Sequence, residues 1–237
     1  MTPPAPDDPS GHDEHRRGPR HLVRAQAMPA PEAVPAAMAV HIVDDDPAVR
    51  RALSLILRLH GRPVREHDSA KSFLADPTAA QAGCVVLDLR MPGMSGTALQ
   101  AELQQRGIDV EIVFLTAFGD VPTVATAMKR GAADFLEKPV RKDELLRAVD
   151  GALQRSATRR AERAIRAEAR QRLALLTPRE REVCGLVASG LRSPQIAERL
   201  GVCIQTAKVH RHRGMAKLGA VTLPDLVRAW RAATEAE

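Results

Sequence analysis

Between residue 39 and about residue 150 the chain alternates five times between a short apolar run and a segment with helical spacing. The runs are Ala39–Val43, Pro63–His67, Cys84–Asp88, Ile112–Thr116 and Ala133–Glu137. Helical patterns follow from Asp46-Pro47 to about His60, over Ser69–Ala75, Ser95–Arg106 and Asp120–Arg130, and from about Lys142. Asp46-Pro47 reads as an N-cap with proline in the first turn, and Asp120 as another cap. Five strand–helix pairs in so short a stretch leave room for little besides a doubly wound parallel sheet.

Such sheets bind ligands outside the carboxyl ends of their strands. The first run ends in H-I-V-D-D-D-P, the third in Asp88, the fourth in Thr116 and the fifth in Lys138. Adjacent carboxylates repel and raise one another's pKa. A solvated turn with a cap accounts for one of them; a bound cation accounts for the group. Mg²⁺ is a hard ion that takes oxygen ligands and keeps several waters, so Asp44 and Asp45 can share one. Asp88 is then free as a nucleophile, since carboxylates form acyl phosphates. The three equatorial oxygens of a transferring phosphoryl group would meet Mg²⁺, the Lys138 ammonium and the Thr116 hydroxyl.

Asp44-Asp45, D-L-R-M-P-G-M-S-G at 88–96, Thr116-Ala117 and Lys138-Pro139, in that order, resemble the receiver domain of bacterial two-component response regulators over about residues 38–150. The resemblance implies a flavodoxin-like (βα)5 fold with Asp88 as phospho-acceptor. It implies Asp45, Asp88 and the Arg90 backbone carbonyl as Mg²⁺ ligands, with Asp44 acting mainly through water. Thr116 and Phe135 would be the switch pair, and the Lys138–Pro139 bond would be cis. The family often has tyrosine where Phe135 stands, and this chain has no tyrosine. The stretch 119–132 resembles the FixJ-type subgroup, which implies dimerisation of the phosphorylated state through the fourth helix and fifth strand. The alternative for that stretch is an ordinary amphipathic helix with Val121, Val124 and Ala125 in the core.

Residues 143–172 are dominated by strong helix formers, and no clean heptad persists past Leu153. They read as a long solvated helical linker. Charge is placed unevenly. Residues 151–237 hold 17 basic and 8 acidic side chains, a surplus of nine positive charges in a chain of net charge +6. That points to a polyanion partner. Thr177-Pro178-Arg179-Glu180 is a capping box with proline at the first helical position. Ser193-Pro194 reads as the cap of a second helix, Gln195–Leu200, with Gly201 as the turn. A third helix, about Ile204 to Leu218, carries Lys208, His210, Arg211, His212, Arg213 and Lys217. Thr222 caps a fourth, which contains Trp230. Two short helices joined by a glycine turn, the second one basic, describe a helix-turn-helix; a solvated bundle with an arginine-rich face is the alternative. L-T-P-R-E-R-E-V, V-A-S-G-L, I-A-E-R-L-G-V, K-V-H-R and A-K-L-G-A together resemble the LuxR-type DNA-binding domain over residues 173–232. The resemblance places Lys208, Val209 and His212 toward the major groove and Thr206 and Arg211 near phosphates. Cys203 stands where that family usually has a Ser or Thr cap, and Pro194 and Ala207 also depart from its commoner residues.

The expected architecture is therefore α/β plus all-α. Residues 1–37 form a disordered extension, 38–150 the receiver, 151–172 the helical linker and 173–237 a four-helix DNA-binding domain. Met38 is a candidate translation start. Residues 1–37 lack the apolar core of a secretory signal, and no apolar run is long enough to span a membrane. Three widely spaced cysteines read as reduced thiols of a cytoplasmic protein, and the eight histidines show no zinc spacing. The expected function is a transcription factor that a sensor histidine kinase phosphorylates on Asp88 with Mg²⁺. Its partners would be promoter double-stranded DNA, a second copy after phosphorylation, and RNA polymerase. It would not be an enzyme beyond accepting, and then losing, its phosphoryl group. One rival is a constitutive LuxR-type regulator with a vestigial receiver, which the complete rim argues against. Another is a phosphatase of the haloacid-dehalogenase type with an Asp nucleophile. It needs a second Asp two residues on, where Arg90 stands. A flavodoxin-like cofactor binder would need a phosphate-cradling loop where three aspartates stand.

Overall fold

The structure, a computed structural model, describes Met1 and residues 38–117 and 121–234. The expectations for the N-terminal extension and for Asp120 as a cap lie outside these residues. Five strands, β1 (Val40–Val43), β2 (Val64–His67), β3 (Cys84–Asp88), β4 (Glu111–Thr116) and β5 (Asp134–Glu137), form one parallel sheet in the order β2-β1-β3-β4-β5. The helices between them are α1 (Pro47–Leu59), α2 (Ala70–Ala75), α3 (Gly96–Gln105) and α4 (Val121–Lys129). This is the flavodoxin-like arrangement.

Each face of the sheet is sealed by helices, and the strand alternation assigns the residues. Val40, Ile42, Val86, Val113 and Leu115 pack with Leu53 and Leu57 of α1 on one face. Val43, Val85, Leu87, Ile112 and Phe114 pack with Phe73, Leu99 and Leu103 on the other. Local chemistry sets the helix starts: the Asp46 carboxylate accepts the Ala48 N–H at 2.7 Å, and the Ser95 hydroxyl accepts the Ala98 N–H at 3.2 Å. Gly96 has a tertiary reason. A Cβ there would lie 2.3 Å from the Asp88 carbonyl oxygen, so only glycine lets α3 begin this close to the third strand end. On α4, Ala127 is buried and Ala125 is exposed, so Ala125 is not the core residue that the amphipathic reading made it.

The fifth helix, α5 (Lys142–Ala174), is continuous for 33 residues. Its first turns bury Leu145, Val149, Ala152 and Leu153 in the receiver core. Beyond them it is not simply solvated. Arg155 pairs with Glu111 at 3.1 Å, Arg159 with Asp109 and Glu111 at 3.0 Å, and Arg163 with Asp109. Those acids lie before and at the start of β4, and sequence spacing gave no hint of the pairing. Near its end, Leu173 enters a second core, and Ala169 one turn earlier is also buried.

That core joins α6 (Pro178–Ala188), α7 (Ser193–Leu200), α8 (Ile204–Leu218) and α9 (Leu223–Thr234) through Val183, Cys184, Ile196, Ala207, Leu218 and Leu226. The capping box at Thr177 is formed from both sides: the Glu180 carboxylate accepts the Thr177 N–H at 2.9 Å, and the Thr177 hydroxyl accepts the Glu180 N–H at 3.3 Å. At α7 the expectation needs correction. Ser193 is the first helical residue and is buried, Arg192 holds the cap position, and the Gln195 side chain accepts the Arg192 N–H at 2.9 Å. Gly201, at φ 62°, makes the left-handed turn into α8. Trp230 packs on the α6 backbone, its ring 3.0 Å from where a Cβ on Gly185 would stand. Among the described residues no helix is long and apolar enough to cross a membrane.

Candidate phosphoryl-acceptor site and nucleic-acid interface

The parallel register brings the carboxyl ends of β1, β3, β4 and β5 to one rim. Asp44 follows β1 and is completely buried. The Asp46 N–H donates to its Oδ1 at 2.9 Å, and the Arg50 guanidinium donates to its carbonyl oxygen at 2.6 Å. Lys138 reaches over from the end of β5: its Nζ lies 2.7 Å from Asp44 Oδ2 and 3.0 Å from Asp88 Oδ2. The Arg90 N–H donates to the other Asp88 oxygen at 3.3 Å. Asp45 is exposed, and one carboxylate oxygen from each of Asp44, Asp45 and Asp88 lies within 4.8 Å of the others.

Burial pushes the Asp88 carboxyl up from its ordinary value. The Asp44 charge adds to this, and Lys138 and the Arg90 N–H only partly offset it. For Lys138, burial works against the charged form, but its bonds to Asp44 and Asp88 outweigh it and raise the pKa. Three carboxylates against the Lys138 ammonium and the Arg50 guanidinium behind Asp44 still leave one surplus negative charge in a partly desolvated place. An all-oxygen donor set of this kind fits a hard divalent cation, not a soft one. Thr116, at the end of β4, is buried, and its hydroxyl donates to the Ala117 carbonyl at 3.0 Å. Phe135 pairs in register with Phe114, and the residue is 47% exposed. The Lys138–Pro139 peptide is cis, as expected.

On α8, Ala207, Gly214 and Leu218 face inward. Gly214 has to be small, because a Cβ there would come 2.4 Å from Cys184 Sγ on α6. The opposite face exposes Lys208, Val209 and His212, while Thr206 and Arg211 are half-buried at its margins. Gln205 and Arg213 lie on the same exposed face, at four-residue spacing about Val209. The sequence reading left Gln205 out and counted Arg213 only as a charge; helical spacing from Val209 would have found both. Cys203 caps the helix, its sulfur accepting the Thr206 N–H at 3.4 Å. The hydrogen bonds from Thr206 hold its thiol below the ordinary value.

A buried, lysine-bridged aspartate rim on a five-stranded parallel sheet, followed by a basic helix-turn-helix, defines a signal-responsive DNA-binding protein. Comparison with known families agrees in both halves. Residues 40–150 match the response regulator receiver domain, and residues 174–230 match the luxR family of bacterial regulatory proteins. The chain belongs to the two-component response regulators that join a receiver to a LuxR-type DNA-binding domain, and so is a transcription factor of that family. It is 42% identical to the transcriptional regulatory protein FixJ of Azorhizobium caulinodans, covering 82% of this chain and 92% of the relative. It is 38% identical to the response regulator TodT of Pseudomonas putida, covering 81% of this chain and 85% of that one. Among solved structures, response regulator StyR superposes with a TM-score of 0.75 at 43% identity, covering 82% of this chain and 98% of the other. Full-length FixJ from B. japonicum gives 0.52 at 35% identity, covering 82% and 97%.

Proposed function

We propose that Asp88 accepts a phosphoryl group from a sensor histidine kinase in the cytoplasm, and that the modified receiver promotes dimerisation and promoter binding. The observation that carries this is the Lys138 ammonium bridging Asp44 and Asp88 within reach of Asp45. Asp45, Asp88 and the Arg90 carbonyl would hold Mg²⁺, with Asp44 acting through water. When bound, that cation supplies neutralising charge for the phosphoryl oxygens. The chain's own groups do the remainder. Lys138 holds the Asp88 carboxylate in place and, on transfer, is positioned to follow the negative charge onto the phosphoryl group. Asp88 is only 7% exposed, which limits the access of bulk water to its carboxyl group. Thr116 then turns its hydroxyl from Ala117 toward the phosphoryl oxygen, and the ring of the exposed Phe135 moves inward behind it.

In this reading residues 38–150 act as the receiver, 151–172 as linker and 173–237 as the DNA-binding unit. Lys208, Val209 and His212 enter the major groove, Thr206 and Arg211 meet phosphates, and RNA polymerase is the downstream partner. No enzymatic turnover is assigned beyond autodephosphorylation. The test is the intact mass of the full chain after incubation with Mg²⁺ and a small phosphodonor, beside an Asp88→Asn variant. One added phosphoryl group on wild type alone, dependent on Mg²⁺, is expected. The same addition on the variant, or none on wild type with either donor or kinase, overturns the assignment and favours the vestigial receiver.

A further inference from the structure

Away from the rim, β1 and β2 bury two histidines side by side. His41 Nδ1 lies 2.9 Å from His67 Nε2, and both residues are less than a tenth exposed. Their rings are parallel, with centroids 5.1 Å apart, and Phe73 of α2 meets both edge-on, at 5.5 and 5.3 Å. Asp76, just past α2, places Oδ2 3.8 Å from the same His67 nitrogen. Its other oxygen accepts the Thr78 N–H and hydroxyl, each at 2.7 Å, which turns Oδ2 toward the histidines.

We propose that His41, His67 and Asp76 form a binding site for a borderline d-block cation of the Zn²⁺ class, separate from the acidic rim. The ligand atoms already lie within 4.8 Å of one another. Four-coordinate Zn²⁺ with bonds of about 2.0–2.1 Å needs its ligand atoms roughly 3.3 Å apart. The 2.9 and 3.8 Å separations bracket that value and the third pair lies within 4.8 Å, so closure takes side-chain movement on the order of 1 Å. Imidazole and carboxylate donors select Zn²⁺, Co²⁺ or Ni²⁺ over Mg²⁺. One of the two facing nitrogens carries the proton of the His41–His67 hydrogen bond, so binding moves that proton to a ring nitrogen facing away and leaves both lone pairs for the ion. Three protein ligands leave the fourth position to water. Thr78 is the positioning residue that orients the carboxylate. Arg65, whose exposed guanidinium lies 3.8 Å from Asp76 Oδ2, has room to swing aside. The His67 carbonyl accepts the Asp44 N–H at 3.2 Å, so the bound cation would brace the strand pair that carries the acidic rim.

The test is calorimetric titration of the full chain with ZnCl₂ in excess Mg²⁺, paired with the ligand-field spectrum of the Co²⁺ adduct. Wild type, Asp76→Asn and Thr78→Val are compared. One tight equivalent is expected for wild type, with a four-coordinate Co²⁺ spectrum. Removing the carboxylate or its Thr78 support is expected to weaken binding about 10–100-fold. Asp76→Asn is nearly isosteric, and its far-UV circular dichroism establishes that it folds. If it has lost its fold, imidazole ¹⁵N shifts of His41 and His67 in wild type on adding Zn²⁺ decide instead. Binding of unchanged affinity in folded Asp76→Asn, shifts confined to other histidines, or no tight equivalent at all overturns the proposal.

Discussion

Replacing Cys203 by serine tests the cap at the start of α8, where the sulfur meets both the N–H and, at 3.0 Å, the hydroxyl of Thr206. The cysteine sulfur accepts the Thr206 N–H at 3.4 Å from an extended backbone, φ −73° and ψ 154°, which is the N-cap geometry. Sulfur is a weak acceptor, whereas a serine Oγ from the same position reaches ordinary hydrogen-bond distance after a shift of a few tenths of an ångström. A full Ser-to-Ala difference at an N-cap is about 1 kcal/mol, and sulfur recovers only part of it, so Cys203→Ser should stabilise by ~0.5–1 kcal/mol. For a unit of about 60 residues that is a rise in Tm of roughly 3–6 °C. Trp230 supplies the assay. It is the single tryptophan, there is no tyrosine, and it packs in the C-terminal core, so fluorescence follows that core alone. The Cys203→Ala variant should melt below wild type, giving the order Ser, Cys, Ala. A serine variant no more stable than cysteine, or an alanine variant as stable as either, refutes the cap assignment.

Gly214→Ala should destabilise the same core, because overpacking costs ~1–3 kcal/mol and the helix-propensity gain of up to ~1 kcal/mol only partly offsets it. Adding Cys184→Ala, which removes the sulfur 2.4 Å from the new methyl, should recover the loss in a urea melt followed by Trp230. The Glu180 carboxyl is held down at about 2, first by the Lys217 hydrogen bond and then by the Thr177 N–H. Because the folded value is depressed, its stabilisation is complete above the unfolded value near 4.5 and is lost as pH falls from there toward 2. An acid titration should therefore show weaker pH dependence in Lys217→Met than in wild type. Gly96→Ala should lower phosphoryl acceptance by Asp88 while leaving Trp230 fluorescence unchanged, since its methyl would collide with the Asp88 carbonyl.

The sheet and the rim were legible for one reason: each functional group stands at the end of an apolar run, and parallel crossover topology carries every such end to the same edge. Asp44, Asp88, Thr116 and Lys138 needed no knowledge of packing. The capping box at Thr177 was equally local. What escaped was whatever depends on strand order or helix phase. His41 and Asp76 are 35 positions apart and meet only because β2 lies outside β1. Asp109 and Glu111 meet Arg159 and Arg163 only because α5 runs on past the sheet. The misassigned cap at α7 has a similar origin, since Ser193 is a good cap in isolation but is drawn into the core as the first helical residue.

One uninterrupted helix, α5, enters both cores, burying Leu153 at one end and Leu173 at the other. An α-helix turns about 100° per residue, so its two buried faces are held in a fixed angular phase. A single residue inserted between Arg163 and Glu168 would rotate everything downstream by about 100°, whereas seven inserted residues, close to two full turns, would bring the faces back into register. If the receiver communicates through this helix as a rigid shaft, the response to phosphorylation should vary with insertion length as a wave of helical period. A flexible tether would instead give a smooth decline.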